Sequence, residues 1–229
     1  MLTCPMLTRS LLAVSLLVPL LAVAPGLAEE AKKPGPAGKP GAPEPKWFPI
    51  FNGHDLATWK KIGTGDWTVE DGMIVGRHKK ADKAFGHLVT EREFEDFAVR
   101  LKFKSVQGNS GLYFRIAVDE KKFSGVAGFQ AEIDPKVDVG GLYETNGRAW
   151  VVQPTKEQVA KYFKPGEWND MTVTARGGDV TVTINGQVSA ELKNDPGKYR
   201  KGPLALQLHG GQDGLVYFKD IEVMQLPPA

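Results

Sequence analysis

The chain has 229 residues, 24% of them charged and 41% hydrophobic, with 29 Lys and Arg against 27 Asp and Glu. A formal charge of +2 is too small for a protein that grips nucleic acid through its phosphates. With 26 Gly and 16 Pro, the composition suits many turns and a linker rather than a helical bundle.

Arg9 precedes an apolar run, Leu11–Ala24, interrupted only by Ser15 and Pro19. The run is too short and too broken to read as a membrane span. Gly26 and Ala28 supply the small residues that signal peptidase requires, so cleavage is expected after Ala28 and residues 1–28 form a signal peptide. The single cysteine, Cys4, lies before the apolar run and leaves with it, which argues against lipidation. An exported chain without cysteine has no disulfide, no thiolate nucleophile and no thiolate metal site, so its fold rests on its core. Residues 29–46, with five Pro, three Gly and no large apolar side chain, form an extended solvated linker. The expected location is exported, periplasmic or extracellular.

From Trp47 to Ala229 the pattern is that of strands. Phe97, Val99, Leu101 and Phe103 alternate with polar or small residues; so do Met171, Val173 and Ala175, and Val180, Val182 and Ile184. Gly177-Gly178 joins the second of these runs to the third, and Asn185-Gly186 supplies the positive-φ pair of a tight hairpin turn. The last strand is expected over Val216–Met224, and only Lys156–Phe163 reads as helix. Many short strands at close spacing predict one all-β domain, an antiparallel β-sandwich of the jelly-roll kind. Four tryptophans, Trp47, Trp59, Trp67 and Trp168, read as core or strand-end packing.

Three strands carry an unusual outward row. Leu112, Phe114 and Ile116 point to the core, leaving Tyr113 and Arg115 outside. Phe129, Ala131 and Ile133 leave Gln130, Glu132 and Asp134 outside; Leu204, Leu206 and Leu208 leave Ala205, Gln207 and His209. Neighbouring strands would gather these side chains into one platform holding a base, an acid and a cation. A solvated sheet face is the alternative.

The segments Phe51-Asn52-Gly53, Trp67-Thr68-Val69-Glu70-Asp71-Gly72, Gly108-Asn109-Ser110-Gly111, Glu167-Trp168-Asn169 and Leu206-Gln207-Leu208-His209-Gly210 occur in this order. Together they resemble the 3-keto-disaccharide hydrolase domain family, and the resemblance runs from about Trp47 to Leu226. It implies a concanavalin-like jelly roll, similar to laminin-G and glucanase domains, acting on glycosides oxidised at C3. Many relatives have Gly-Tyr-Glu-x-Gln where this chain has Gly128-Phe129-Gln130-Ala131-Glu132, so acid and amide have exchanged places. The glucanase pattern Glu-x-Asp-x-x-Glu is incomplete: Glu132-Ile133-Asp134 is followed by Val137 where the second Glu belongs. A two-carboxylate glycosidase mechanism therefore lacks its acid/base.

A 3-keto sugar offers another route, because the ketone acidifies the proton on C2. A base removes that proton, the aglycone leaves from C1, and water adds to the enone. His209 is the first candidate for the base, since an imidazole ordinarily titrates near neutral pH. Glu132 is the competing base or the group orienting His209. Arg115, permanently charged, would hold the enolate oxygen. Gln130, Gln207, Asn109 and Tyr113 are expected to bind hydroxyls, and Tyr143 and Trp150 to stack on a sugar face. Each has a plainer alternative: His209 satisfying a loop carbonyl, Arg115 and Glu132 in a structural ion pair, Trp150 in loop packing. Of the remaining histidines, His54 sits in a turn region, His78 in a Lys-rich loop and His87 at a strand start. No sequence motif demands a metal or cofactor, although a divalent ion on Glu132, His209 or Asp134 stays open. The expected partners are a carbohydrate substrate and an oxidoreductase that makes the 3-keto sugar. A non-catalytic secreted carbohydrate-binding module is the rival reading.

Overall fold

Alternation of apolar and polar residues commits most of the chain to extended backbone, and fifteen strands form among the residues described, 45–229, of a computed structural model. The expected signal peptide, and the linker up to residue 44, lie outside the described residues. In chain order come β1 (Trp47–Pro49), β2 (Trp59–Gly63), β3 (Asp66–Glu70), β4 (Met73–His78), β5 (Gly86–Phe94), β6 (Phe97–Gln107), β7 (Ser110–Val118) and β8 (Val126–Ile133). They are followed by β9 (Leu142–Thr145), β10 (Ala149–Val152), the helix α1 (Lys156–Tyr162), β11 (Asn169–Arg176), β12 (Asp179–Ile184), β13 (Gln187–Leu192), β14 (Gly202–Leu208) and β15 (Gly214–Gln225). The helix starts where expected because Thr155 and Gln158 form a capping box.

Two antiparallel sheets result. One runs β13-β12-β11-β6-β15-β4-β3, with β1 added beside β15; the other runs β10-β9-β8-β7-β14-β5-β2. Val99, Leu101 and Phe103 of β6, Met171 and Val173 of β11, and Val182 and Ile184 of β12 enter the core from the first sheet. Leu112 and Phe114 of β7, Phe129 and Ile133 of β8, and Leu204, Leu206 and Leu208 of β14 enter it from the second. This is the all-β sandwich that the alternation predicts. Asn185 and Gly186 both take positive φ, 48° and 81°, at the turn into β13.

Two bulges shift the alternation. In β15 the register slips between Lys219 and Glu222, with Asp220 at φ 52°, so Phe218 and Ile221 are both buried although three residues apart. In β7 the register slips between Phe114 and Ala117, so that Arg115 and Ile116 together oppose Gly128 of β8. Gly128 sits at φ 138°, and a Cβ there would lie 3.0 Å from Arg115 O and from Ile116 Cα. One extra residue exchanges the faces of those that follow. Ile116 therefore turns outward and joins Ile62, Val89, Tyr113, Val126 and Ala205 in a second apolar cluster.

The expected place of Arg115 on the polar platform is thereby corrected. Its guanidinium is 1% exposed and donates to Glu95 O at 2.6 and 2.8 Å, to Gly177 O at 2.8 Å and to Asp96 Oδ1 at 3.1 Å. It ties the β5–β6 turn to the β11–β12 turn and has no place in a site on the other face. One smaller correction follows. His78 ends β4 rather than lying in a loop, and its Nε2 is 2.9 Å from Thr64 Oγ1. The tryptophans divide as expected: Trp59 and Trp67 are buried in the core, and Trp47 and Trp168 are half-buried at strand starts, with Arg100 and Lys219 each 4.3 Å from their ring centroids.

Replacing Arg115 by Met strands the Glu95 carbonyl and takes the cation from Asp96, which keeps the Gly177 and Ala229 N–H groups, and is expected to lower the unfolding free energy by about 1–3 kcal/mol. Urea denaturation of Arg115→Met beside the wild type measures this, and an unchanged midpoint would contradict the structural role.

Candidate functional site

The strand order β8-β7-β14 makes the three strands with polar outward rows immediate neighbours. Gln207 stands opposite both His87 and Gly111, and Gly111 stands opposite Glu132. Two residues along, the row runs Ala205, Tyr113, Gln130, Tyr143 and Trp150. Gly111 leaves a gap that its neighbour uses: a Cβ there would lie 2.5 Å from Gln130 Nε2. Gln130 lies across that gap and donates to Gln207 Oε1 at 3.1 Å. Gln207 Nε2 reaches the Tyr113 hydroxyl at 3.5 Å, and that hydroxyl shares a hydrogen bond with Thr145 Oγ1 at 2.7 Å. Burial also pushes the Tyr113 phenol well above its ordinary pKa, so it stays protonated.

A solvated sheet face would leave these residues wet. Instead Gln207, Tyr113 and Gln130 are 1–3% exposed and Glu132 is 6% exposed. Part of the cover is the segment between β7 and β8, which closes over the outer apolar cluster. Lys60 Nζ holds Glu120 at 2.9 Å, and Asn146 Nδ2 donates to Ser124 Oγ at 2.6 Å and Val126 O at 2.8 Å. Beside this cover lies a cavity of about 410 Å³, within the ~300–1,000 Å³ usual for small-molecule sites. Eight of the nine expected site residues line it: His209, Glu132, Gln130, Gln207, Asn109, Tyr113, Tyr143 and Trp150. Arg115 is the exception. A larger depression of about 860 Å³ lies on the outer face of the first sheet. Its charges are paired with one another, Arg100 with Glu222 and Lys102 with Asp170, and no unpartnered buried polar atom faces it. The smaller cavity is therefore the candidate.

His209 follows the last residue of β14. Its Nδ1 is 2.8 Å from Gly210 O. A carbonyl only accepts, so Nδ1 carries a proton, and in the neutral ring the lone pair is on Nε2. The ring packs on Phe85, centroid to centroid 4.4 Å. The loop-carbonyl contact thus exists, and it also sets the tautomer that a base requires.

Glu132 is the other unusual group. Its Oε1 is buried without a hydrogen-bond partner, as is Oδ1 of Asn109 beside it. Burial pushes the Glu132 carboxyl up to about 8; Asp134 and Asp138 add to the rise, and the Asn109 side chain opposes it. The group is protonated through most of the neutral range. No ion pair with Arg115 forms.

The cavity also holds residues that the sequence reading passed over. Phe85 and Phe123 lie outside the strands, so no period marks them; Thr145 and Asn146 belong to the β9–β10 hairpin. Behind the lining, His87 of β5 stands opposite Gln207, 1% exposed and with neither ring nitrogen hydrogen-bonded, and burial lowers it to about 4. Its place at a strand start gave no signal of this. Among the described residues, no three of His, Cys, Asp and Glu gather as a metal-ligand set.

Two packed antiparallel sheets, one with a covered polar cavity on its outer face, place the protein in fold among the galectin- and lectin-like β-sandwiches. The chain belongs to the 3-keto-alpha-glucoside-1,2-lyase-like domain family, whose model matches residues 46–224. No curated protein matches it. Among solved structures it is similar to a candidate glycosyl hydrolase from Parabacteroides distasonis, with 25% identity, a TM-score of 0.58, and 79% of this chain and 94% of that one covered. In fold alone it is similar to a Bacillus subtilis protein with a galectin-like fold (16% identity, TM-score 0.59, covering 80% of this chain and 96% of that one). The same holds for the carbohydrate-binding module CBM66 from B. subtilis (15% identity, TM-score 0.53, covering 72% and 93%).

The raised Glu132 carboxyl has a consequence for stability. In the unfolded chain the group ionises near 4.5, and in the folded protein near 8. Below 4.5 both forms are protonated and nothing is lost. Between 4.5 and 8 only the unfolded chain gives up its proton, so stability falls as pH rises, and the loss is complete above 8. Glu132→Gln is therefore expected to gain Tm over wild type progressively from pH 4.5 to 8. Parallel melting curves over that range would mean that Glu132 is not held protonated.

Proposed function

We propose that this domain cleaves glycosides whose sugar is oxidised at C3, by elimination across C1 and C2 followed by addition of water. One observation carries the reading: a buried acid kept protonated near neutral pH shares a cavity with an imidazole whose Nε2 is free. The match to a 1,2-lyase-like family supports it.

His209 Nε2 takes the proton from C2 of the keto sugar. The electron pair of that C–H bond moves to C3 and its oxygen as an enolate. Glu132, in its acid form, donates a hydrogen bond to that oxygen, where charge develops in the transition state. This neutral donor replaces the cation first sought in Arg115. The enolate then collapses, the C1–O bond breaks, and the proton on His209 passes to the departing oxygen. Water adds at C1 of the enone with return of a proton to C2, so the net change is hydrolysis. Gln130, Gln207 and Asn109 bind the sugar hydroxyls; Tyr143 and Trp150, edge to face at 5.1 Å, pack against its carbon face. The substrate requires an oxidoreductase upstream to form the ketone. The N-terminal signal adds export, to the periplasm or beyond, to this proposal.

A pure binding module would use the aromatic pair and the amides equally well. It would have no need of a desolvated acid, whose burial is a cost to the fold.

The test uses the exported chain with 3-keto-trehalose and 3-keto-lactose beside the unoxidised sugars, with and without EDTA, following released monosaccharide. Release is expected from the oxidised sugars only, and EDTA sensitivity would add a divalent ion to the proposal. Binding of unoxidised glycans with no turnover would transfer the protein to the module class. His209→Asn is expected to lower kcat by about 10²–10⁴-fold, and Glu132→Ala by about 10²–10³-fold. Full activity in both variants would remove the assigned roles.

The acid form of Glu132 also sets a pH limit. As its proton is lost near 8, kcat/KM is expected to fall on the alkaline side of that value. In Glu132→Gln, which keeps a donor but cannot ionise, that alkaline limb should vanish from the profile.

A further inference from the structure

The cavity has aromatic residues at both ends, and only one pair has been given a task. Tyr143 stands on β9, while Phe85 directly precedes β5. The strand order puts four interstrand steps between β9 and β5, or about 19 Å at the usual spacing. That span is longer than a single pyranose.

At the β5 end, Phe123 meets Phe85 edge to face, with centroids 5.5 Å apart. Phe123 is 70% exposed, the most exposed of the large apolar side chains described. Two hydrogen bonds hold its loop: Asn146, at φ 55°, ties Ser124 and Val126 to the β9–β10 hairpin. A phenylalanine held in water by a braced loop on the rim of a polar cavity presents a ring with nothing upon it.

In the cleavage reading the C3 oxygen sits against Glu132 on β8 and the C2 proton faces His209, which follows β14. C1 is bonded to C2, so the leaving group is attached on the His209 side of the oxidised ring, the side on which Phe85 packs against the imidazole.

We propose that Phe85 and Phe123 form a leaving-group subsite, which takes the second pyranose of a 3-keto-disaccharide on its C–H face. The assignment rests on the cleavage reading above. It makes the cavity a two-ring site, with the oxidised ring over β7 and β8 and the leaving ring against the two phenylalanines.

Phe123→Ala is the variant of choice. Phe123 is exposed and the fold does not depend on it, whereas Phe85 supports His209. With 3-keto-trehalose, KM is expected to rise about 2- to 12-fold, the loss of one aromatic contact. With methyl 3-keto-glucoside, whose leaving group has no ring, kcat and KM should match the wild type. Equal effects on both substrates, or none on either, would overturn the subsite. If the wild type cleaves neither compound, the cleavage reading fails by itself. The subsite is then read by calorimetry with trehalose and methyl glucoside: tighter binding of the disaccharide, abolished in Phe123→Ala, upholds it, and an unchanged ratio or no binding overturns it.

Discussion

One extra residue in β7 decides which side chains this protein presents on its second sheet. Opposed to Gly128, the pair Arg115 and Ile116 breaks the two-residue period, and the glycine is needed because a Cβ there would meet Arg115 O. The bulge sends the cation to the seam between turns, where three backbone carbonyl bonds and Asp96 satisfy it. It sends Ile116 outward, where the small apolar cluster gives the β7–β8 segment something to close upon. The cavity exists beside that closure.

Burial of the outer face then changes what its polar residues are. Gln130, Gln207, Tyr113 and Thr145 satisfy one another in a chain of hydrogen bonds, which a desolvated network must do to be tolerated. Glu132, Asn109 and His87 are left with unpartnered atoms in the same region. Native structures keep few such groups, and two in the cavity wall with a third behind it mark a place where the fold gives up stability. Removing the cation from this environment sharpens the effect on Glu132. With no positive charge beside it, desolvation dominates and the carboxyl holds its proton.

The sandwich separates two tasks between its faces. The inner faces carry the core, with the Arg115–Asp96 pair at its edge; the outer face of the second sheet carries the candidate site. The first sheet's outer face is also charged, but its groups neutralise one another in pairs that water screens, and such pairs contribute little. Size alone would have chosen that larger depression. Two buried, unpartnered oxygens in its wall, Glu132 Oε1 and Asn109 Oδ1, and not volume, set the candidate site apart from that depression.

Much of this was legible in the sequence, because a period of two is a local property. The strands, the Asn185-Gly186 turn, the single helix and the outward placement of Gln130, Glu132, Gln207 and His209 all follow from side chains alternating across a pleat. Arg115 was misplaced for the same reason: alternation carries no mark of a bulge, whose cause lies in the partner strand at Gly128. Nor does periodicity reach Phe85 and Phe123, whose positions come from loops, or His87, whose burial comes from a segment more than thirty residues away. Side-chain alternation is enough to make the sandwich and to set which residue types share a face. Which of them are dry, which are paired and which share a cavity follows from the packed fold, because desolvation depends on what covers a residue and not on what precedes it in the chain.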